Sequence, residues 1–159
     1  MQPNVENVRK RKRRERYKRF VVPSLLFLTD QVLKFVSKNL ESRINLIPNF
    51  LTLEPPQLNP GIAFGFLNHR GSLSLILSLL ALIFLCFSFR RSFLRSSPLL
   101  FVFFGAISNL VDRITYKGVI DYLRLRGFPW TFNLADVLIL TGTCWYLLKE
   151  GISHASSSN

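Results

Sequence analysis

Cysteine and histidine are scarce in this chain of 159 residues, which contains two of each. Cys86 and Cys144 both lie in apolar segments and form no CxxC pair, so the sequence encodes neither a disulfide framework nor a cysteine-based zinc site. His69 and His154 stand far apart, which argues against a histidine-rich metal centre. A secreted disulfide scaffold and a histidine metalloenzyme are therefore disfavoured.

Acidic residues are also few, with nine Asp and Glu against 21 Lys and Arg and a formal net charge of +12. These charges are unevenly placed. Nine of the 21 basic residues lie between positions 9 and 19, whereas residues 71–89 contain no charge. An uncharged apolar stretch of about 18 residues or more is long enough to form a membrane-spanning helix. The sequence therefore predicts a small membrane protein.

Four apolar segments indicate membrane spans. In hydrocarbon every backbone amide needs an internal partner, so we predict an all-α membrane protein with four transmembrane helices. Pro23 near the start of the first span and Pro98 at the start of the third occupy positions where a missing N–H costs least. The predicted organisation is a basic cytoplasmic tail (1–19), a membrane domain (20–150) with spans at about 20–36, 71–89, 95–112 and 132–149, and a polar C-terminal tail (151–159).

The basic residues also predict the orientation. Four spans put both termini and the loop before the third span on one side, which carries 13 Lys and Arg against seven on the other. The positive-inside rule then places both termini in the cytoplasm. A nucleic-acid-binding arm and the start of a signal peptide are alternative readings of the basic tail. Few aromatic residues argue against the first, and charges in the following apolar run argue against the second, so contact with anionic lipid headgroups is favoured.

All four Asp residues lie within or at the edges of the predicted spans, whereas all five Glu lie in polar segments. A charged Asp at a helix centre costs about 2.5–3.5 kcal/mol on insertion scales, so each needs an explanation. Asp30 has Lys34 one helical turn later, which favours a structural ion pair. Asp112 has Arg113 beside it near a membrane boundary, and we expect it to orient or cap rather than react.

Asp121 and Asp136 are the two acids for which a catalytic role is favoured. Asp121 lies in a short β-prone stretch just outside the third span, and Asp136 lies one turn into the fourth. The link between them is long enough for both carboxylates to meet near the outer membrane surface. Two carboxylates in a partly desolvated site cannot both ionise cheaply, so one keeps a proton. Such a pair suits peptide hydrolysis, because the ionised acid takes a proton from water while the protonated acid hydrogen-bonds to the scissile carbonyl.

Small polar residues surround this predicted pair. Asn109 and Arg113 share a face at the end of the third span, and Asn133 and Asp136 are three positions apart at the start of the fourth. An Asn in a span is often only an interhelical hydrogen-bond donor. The concentration of these residues at one membrane boundary shifts the interpretation towards a functional site.

Four sequence blocks carry a family resemblance, and they occur in a fixed order. They are Asp30-Gln-Val-Leu-Lys34, Asn59-Pro-Gly-Ile-Ala-Phe-Gly65, Gly105-Ala-Ile-Ser-Asn-Leu-Val-Asp-Arg113 with Gly118-Val-Ile-Asp121, and Phe132-Asn-Leu-Ala-Asp136. Together they resemble the motif set of the bacterial lipoprotein signal peptidase family, also called signal peptidase II. The resemblance extends from about residue 24 to residue 142.

The resemblance implies a membrane aspartic endopeptidase that removes the signal peptide from diacylglyceryl-modified prolipoproteins, cutting just before the lipid-bearing cysteine. Asp121 and Asp136 match the catalytic pair of the family. It also implies a small extracytoplasmic β element, which would use part of Leu46 to Leu67. The remaining matched positions line the substrate cleft or brace the acids (Asn59, Asn109, Arg113, Asn133), or support them from further away (Asp30, Lys34, Asp112).

The implied mechanism needs no metal and no cofactor. We expect lipid-modified prolipoproteins and membrane lipids as partners, no nucleic acid, and a monomeric enzyme. The expected location is the bacterial cytoplasmic (inner) membrane, crossed several times, with the active site near the outer face.

Two departures and two rival classes accompany this interpretation. Ser108 stands where the family usually has Gly, which predicts looser helix packing, and Pro55–Pro56 argues against a regular strand there.

A small transporter would stagger its acids through the bilayer, and a non-catalytic assembly factor would use its polar residues only to join helices. Among peptidases, GxSxG, HExxH and Gly-x-Gly-Asp do not occur in the sequence, which disfavours the serine, zinc and presenilin-type classes.

Overall fold

Four helices and a small antiparallel sheet make up the part of the chain that the structure describes. The computed structural model describes residues 5–61, 71–90 and 95–157. Residues 62–65 of the block that begins at Asn59 lie outside the described residues, as does the remainder of the segment up to residue 70. In chain order the elements are α1 (Val5–Ser37), β1 (Ile44–Ile47), β2 (Leu51–Asn59), α2 (Gly71–Ser88), α3 (Ser97–Tyr116), β3 (Val119–Leu125), β4 (Thr131–Phe132) and α4 (Leu134–Ser157).

The first helix is longer than the sequence predicts. It begins at Val5, so the basic tail and the apolar segment are one continuous helix of 33 residues. The prediction that Pro23 lies near a helix start is therefore wrong, because Pro23 lies inside α1 and is fully buried. Arg and Lys are good helix formers, so the basic residues extend the helix outward instead of ending it.

The other helices include the predicted apolar runs, and two of them extend beyond the predicted ends. Pro98 lies in the first turn of α3, as predicted, and the helix ends at a left-handed Lys117 with φ of 62°. The third helix continues past Asp112 to Tyr116, and α4 continues to Ser157, through the segment expected to be a tail.

Two helices in the described residues, Glu6–Ser37 and Ser97–Tyr116, are long and apolar enough to cross a bilayer by length and composition. Ser72–Ser88 is apolar but shorter. Length and composition therefore single out α1 and α3, with α2 as a shorter apolar helix.

The sheet has the strand order β1-β2-β3-β4, with every neighbouring pair antiparallel. A β element was expected between Leu46 and Leu67, but β3 and β4 supply the other half of the sheet from much later in the chain. The strand β2 runs through Pro55–Pro56 by means of a register irregularity between Leu53 and Gln57. Proline donates no N–H to a ladder, so a bulge is where a strand can accommodate it.

Helix α3 lies at the centre of the helical part and contacts α1, α2 and α4. Its contact with α4 is close because Gly105 faces the α4 backbone. A Cβ added at Gly105 would lie 2.6 Å from the Ala135 carbonyl oxygen. This close approach brings the middle of α3 beside the start of α4, where Asp136 lies.

Candidate active site

Asp121 projects from β3 into a polar site and is only 2% exposed. The pairing of β2 with β3 places Asn59 opposite Val119, two residues from Asp121. From there Asn59 Nδ2 donates to Asp121 Oδ2 at 3.1 Å. The other carboxylate oxygen, Oδ1, accepts a hydrogen bond from Asn133 Nδ2 at 2.8 Å. Two side-chain amides thus hold both oxygens of Asp121.

Asp136 lies in the first turn of α4, and Asn133 is the residue just before that helix. The two residues bond reciprocally, since the Asp136 N–H donates to Asn133 Oδ1 at 2.9 Å and the Asn133 N–H donates to Asp136 Oδ2 at 3.2 Å. This is the arrangement of a capping box. The remaining oxygen of Asp136, Oδ1, accepts from Asn109 Nδ2 at 2.8 Å, across the contact between α3 and α4.

The structure brings Asp121 and Asp136 into one site, which their spacing in the sequence allows. Asn133 contacts both, through its side-chain amide to Asp121 and through its backbone N–H to Asp136. Burial and the nearby charge of Asp136 raise the pKa of Asp121 to about 7, although the Asn59 and Asn133 amides act in the opposite direction. A carboxyl with this pKa stays protonated up to a much higher pH than the carboxyl of an exposed Asp does.

Asp30, Lys34 and Asp112 form a buried charge cluster beside the pair. Lys34 Nζ lies 2.7 Å from Asp30 Oδ2 and 2.8 Å from Asp112 Oδ2. The predicted Asp30–Lys34 pair is confirmed. Asp112 has Arg113 beside it in the sequence, but it is buried and pairs with Lys34 instead, and it accepts the Ile120 N–H at 3.1 Å. Sequence neighbours on a helix point to different faces, whereas the close packing of α1 on α3 brings Lys34 to Asp112.

Lys34 also connects this cluster to the acid pair. Its Nζ donates to Asn109 Oδ1 at 3.2 Å, while Asn109 Nδ2 donates to Asp136. Since an amide has one acceptor and one donor end, the contact with Lys34 turns the donor end of Asn109 towards Asp136.

Arg113 lies one turn beyond Asn109 on α3, as predicted, and is buried. Its guanidinium donates to the Asn109 carbonyl at 3.3 Å and to the Gly61 carbonyl at 3.1 Å. The Gly61 N–H in turn donates to Asn59 Oδ1 at 3.0 Å. Arg113 therefore ties the segment that follows β2 to the end of α3, and it does not pair directly with either acid.

Two residues of the site, Ser108 and Tyr122, are not among the predicted site residues. Ser108 was expected to loosen the helix packing, but it is fully buried and donates to Asp30 Oδ2 at 2.6 Å. Its hydroxyl also accepts from Gln31 Nε2 at 2.7 Å. Its spacing of four from Asp112 was an available signal that both share one helix face. Tyr122, with its hydroxyl 2.9 Å from Asp30 Oδ1, gave no signal beyond its position next to Asp121.

No group of three or more His, Cys, Asp and Glu side chains within the described ranges could hold a metal ion. The two acids instead have amide and backbone N–H donors around them, which can orient a carboxylate but cannot ligate a cation. The arrangement is therefore suited to acid–base chemistry on a water molecule.

Two solved structures share the fold of this chain. One described as a bacterial membrane enzyme aligns with a TM-score of 0.77 at 22% identity, covering 89% of this chain and 92% of the other. A second with the same description gives a TM-score of 0.70 at 23% identity, covering 83% and 91%.

The family follows from the sequence comparisons. The family model described as signal peptidase (SPase) II matches residues 22–151. The lipoprotein signal peptidase of Caldicellulosiruptor bescii is 33% identical over 132 residues, covering 79% of this chain and 87% of the relative. That of Pelotomaculum thermopropionicum is 31% identical over 144 residues, covering 82% and 91%. The chain belongs to the signal peptidase II family, and it is a peptidase that removes the signal peptide from prolipoproteins.

Proposed function

We propose that this chain is an aspartic endopeptidase of the bacterial cytoplasmic membrane, with Asp121 and Asp136 as its catalytic pair. The substrate would be a prolipoprotein that already carries diacylglycerol on a cysteine, and the bond cut would be the one just before that cysteine. The observation that carries the proposal is the contact of Asn133 with both carboxylates, which holds two acids from different elements in one buried site.

The proposed reaction uses the pair as acid and base. With one proton shared between two carboxyls, the ionised acid takes a proton from water, and the resulting hydroxide attacks the scissile carbonyl carbon. The protonated acid gives its hydrogen to the carbonyl oxygen. When the tetrahedral intermediate collapses, the C–N bond breaks and the leaving nitrogen receives a proton. The raised pKa of Asp121 supports this scheme, because it keeps the shared proton on the pair up to about neutral pH.

The surrounding residues would keep the two acids in place. Asn59 and Asn109 each hold one of the two carboxyls, and Arg113 fixes the Gly61 segment over the end of α3. Lys34 places one positive charge between the two structural carboxylates, so that it offsets part of the negative charge that they would add to that of the pair. Hydrolysis in this scheme needs neither a metal nor a cofactor.

The proposed membrane arrangement has all four helices crossing the bilayer, both termini in the cytoplasm, and the acid pair near the outer face. A diacylglyceryl cysteine cannot leave the lipid cheaply, since each buried CH₂ contributes about 0.8 kcal/mol. An enzyme that acts on it must therefore present its acids close to the headgroups. The position of Asp121 on a strand and of Asp136 in the first turn of a helix supports such a boundary location. We propose that a monomer in contact with membrane lipids suffices.

A proton-conducting or transport function receives less support from the charge distribution. A relay would place carboxylates in steps through the bilayer. Here Lys34 joins Asp30 to Asp112, while the Ala135 N–H donates to Asp30 at 3.2 Å beside Asp136. The buried acids therefore form one cluster rather than a path.

The test is cleavage of a diacylglyceryl-modified prolipoprotein by the purified enzyme in lipid nanodiscs, followed by mass spectrometry of the products. We expect cleavage just before the modified cysteine, no cleavage of the unmodified precursor, and no turnover by Asp121→Asn or Asp136→Asn. The matched control is Glu41→Gln, which removes an exposed carboxylate outside the site and should leave turnover unchanged. Turnover by either Asp variant, once folding is verified by thermal unfolding, would refute the catalytic pair.

A further inference from the structure

The start of α4 is held by residues from three separate parts of the chain. The first N–H groups of a helix have no acceptor within the helix and need other partners. In α4 the Leu134 N–H donates to the Tyr122 hydroxyl at 3.2 Å, the Ala135 N–H to Asp30 Oδ1 at 3.2 Å and the Asp136 N–H to Asn133 Oδ1 at 2.9 Å. Two of these three acceptors therefore come from outside the helix and its cap.

Tyr122 is the residue that connects the two acid-bearing elements. It follows Asp121 directly on β3 and is fully buried. Its hydroxyl donates to Asp30 Oδ1 at 2.9 Å and accepts the Leu134 N–H at the start of α4. A hydroxyl has one hydrogen to donate and lone pairs to accept, so this single group satisfies both contacts at once.

Asp30 is itself fixed from several sides, so it can serve as an anchor. Lys34 and the Ser108 hydroxyl hold its Oδ2 at 2.7 Å and 2.6 Å. Its Oδ1 receives Tyr122 and the Ala135 N–H. Anchored by α1 and α3, Asp30 contacts both the strand that carries Asp121 and the helix that carries Asp136.

We propose that the Tyr122 hydroxyl, anchored on Asp30, is a positioning group that sets the separation between the Asp121 and Asp136 carboxyls. The proposal rests on the proposed function, in which these two acids act together on one water. Neither Tyr122 nor Asp30 touches the substrate in this account. They act by fixing the first turn of α4 against β3.

Loss of the Tyr122 hydroxyl would change both the position of Asp136 and the charge interaction between the two acids. Without the hydroxyl, the Leu134 N–H has no acceptor and the first turn of α4 loses its direct tie to β3. Asp136 then moves relative to Asp121. Small displacements of catalytic groups are costly, since a shift of about 1 Å can reduce rates by about 100-fold. A larger separation also weakens the charge interaction that keeps the shared proton on the pair.

Tyr122→Phe is the direct test, since it removes one oxygen and keeps the ring. We expect kcat on a diacylglyceryl-modified prolipoprotein to fall by about tenfold, while KM stays within about twofold. We also expect the alkaline limb of the kcat–pH profile to move to lower pH, because the weaker interaction with Asp136 lowers the pKa of Asp121. A residue with a merely structural role would lower the melting temperature and leave the position of that limb unchanged.

The matched control is Tyr116→Phe. Tyr116 lies at the end of α3, is 41% exposed, and has Lys38 Nζ 3.6 Å from its ring centroid, a contact that Phe preserves. We expect wild-type kcat and an unshifted profile for this variant. Ser108→Ala is a second, graded test that removes one of the donors holding Asp30 and leaves the cap of α4 in place. We expect a smaller loss of kcat with the pH limb moving in the same direction.

The outcomes separate this inference from the proposed function. Wild-type kcat and an unshifted pH limb in Tyr122→Phe would overturn the positioning role. If Tyr122→Phe does not fold, an unshifted limb in Ser108→Ala overturns it instead. Turnover in Asp121→Asn would refute the catalytic pair itself, whatever the Tyr122 variant does.

Discussion

The raised pKa of Asp121 predicts that this carboxyl destabilises the folded enzyme at neutral pH. Its pKa rises from an ordinary 3.8 in the unfolded chain to about 7 in the fold, chiefly by burial and then by the charge of Asp136. The folded state therefore binds more protons than the unfolded state between about pH 4 and pH 7. Stability must fall as the pH rises through this window and level off above it.

The magnitude follows from the size of the shift. One unit of pKa corresponds to about 1.36 kcal/mol, so the full shift amounts to about 4 kcal/mol. Asp121→Asn removes the titrating group and keeps its shape. Both oxygens of Asp121 accept from amides and an Asn has only one acceptor oxygen, so we expect the variant to lose some stability equally at every pH. Relative to the wild type, the variant should then become more stable as the pH rises. For a chain of this size the difference in melting temperature should change by on the order of 10 °C between pH 4 and pH 7.

The assay is thermal unfolding in detergent, measured from pH 4 to pH 8 for both proteins. Taking the difference between them removes the contribution of every group that titrates alike in both. Glu41→Gln, which removes a carboxylate from the exposed segment before β1, is the control and should follow the wild type. A difference between Asp121→Asn and the wild type that does not grow with pH would refute the reasoning.

Three further predictions concern the residues that hold the site. Lys34→Met leaves two buried carboxylates without their cation and should destabilise the fold by about 3–5 kcal/mol, measured by thermal unfolding. Gly105→Ala brings a Cβ to 2.6 Å from the Ala135 carbonyl and should cost about 1–3 kcal/mol. The control Gly151→Ala, which meets no atom within 4 Å, should gain about 0.5–1 kcal/mol. Asn133→Ala removes the helix cap at a cost of about 1 kcal/mol. We expect a much larger fall in kcat per folded molecule, because the lost side chain holds the Asp121 carboxyl and the backbone N–H of Asp136.

The helices could be predicted because hydrophobic runs and proline positions are local signals. The Pro98 start of α3 and the Asp30–Lys34 pair follow from spacing along one helix, and the structure confirms both. The start of α1 could not be located in this way. An amphipathic or apolar pattern marks the buried part of a helix, whereas the basic residues before Phe20 extend it by propensity alone.

The contacts between elements could not be read from the sequence. The second partner of Lys34 is Asp112 on another helix, and that pair exists only because α1 packs on α3. The sequence predicts only part of the sheet, since β2 pairs with β3, which lies much later in the chain (Asn59 opposite Val119, Leu51 opposite Leu125). The contacts of the Tyr122 hydroxyl could not be predicted either, because its partners on α1 and α4 are 92 and 12 positions away in the sequence.

The most direct test of the central claim is a double-mutant cycle on Asp121 and Asp136, read as cleavage of a diacylglyceryl-modified prolipoprotein. If the two carboxyls act as one unit on a single water, each Asn substitution alone should lower cleavage to the same background rate as the double substitution does. Cleavage by either single variant above the rate of the double variant would contradict the account, because it would mean that one acid works without the other.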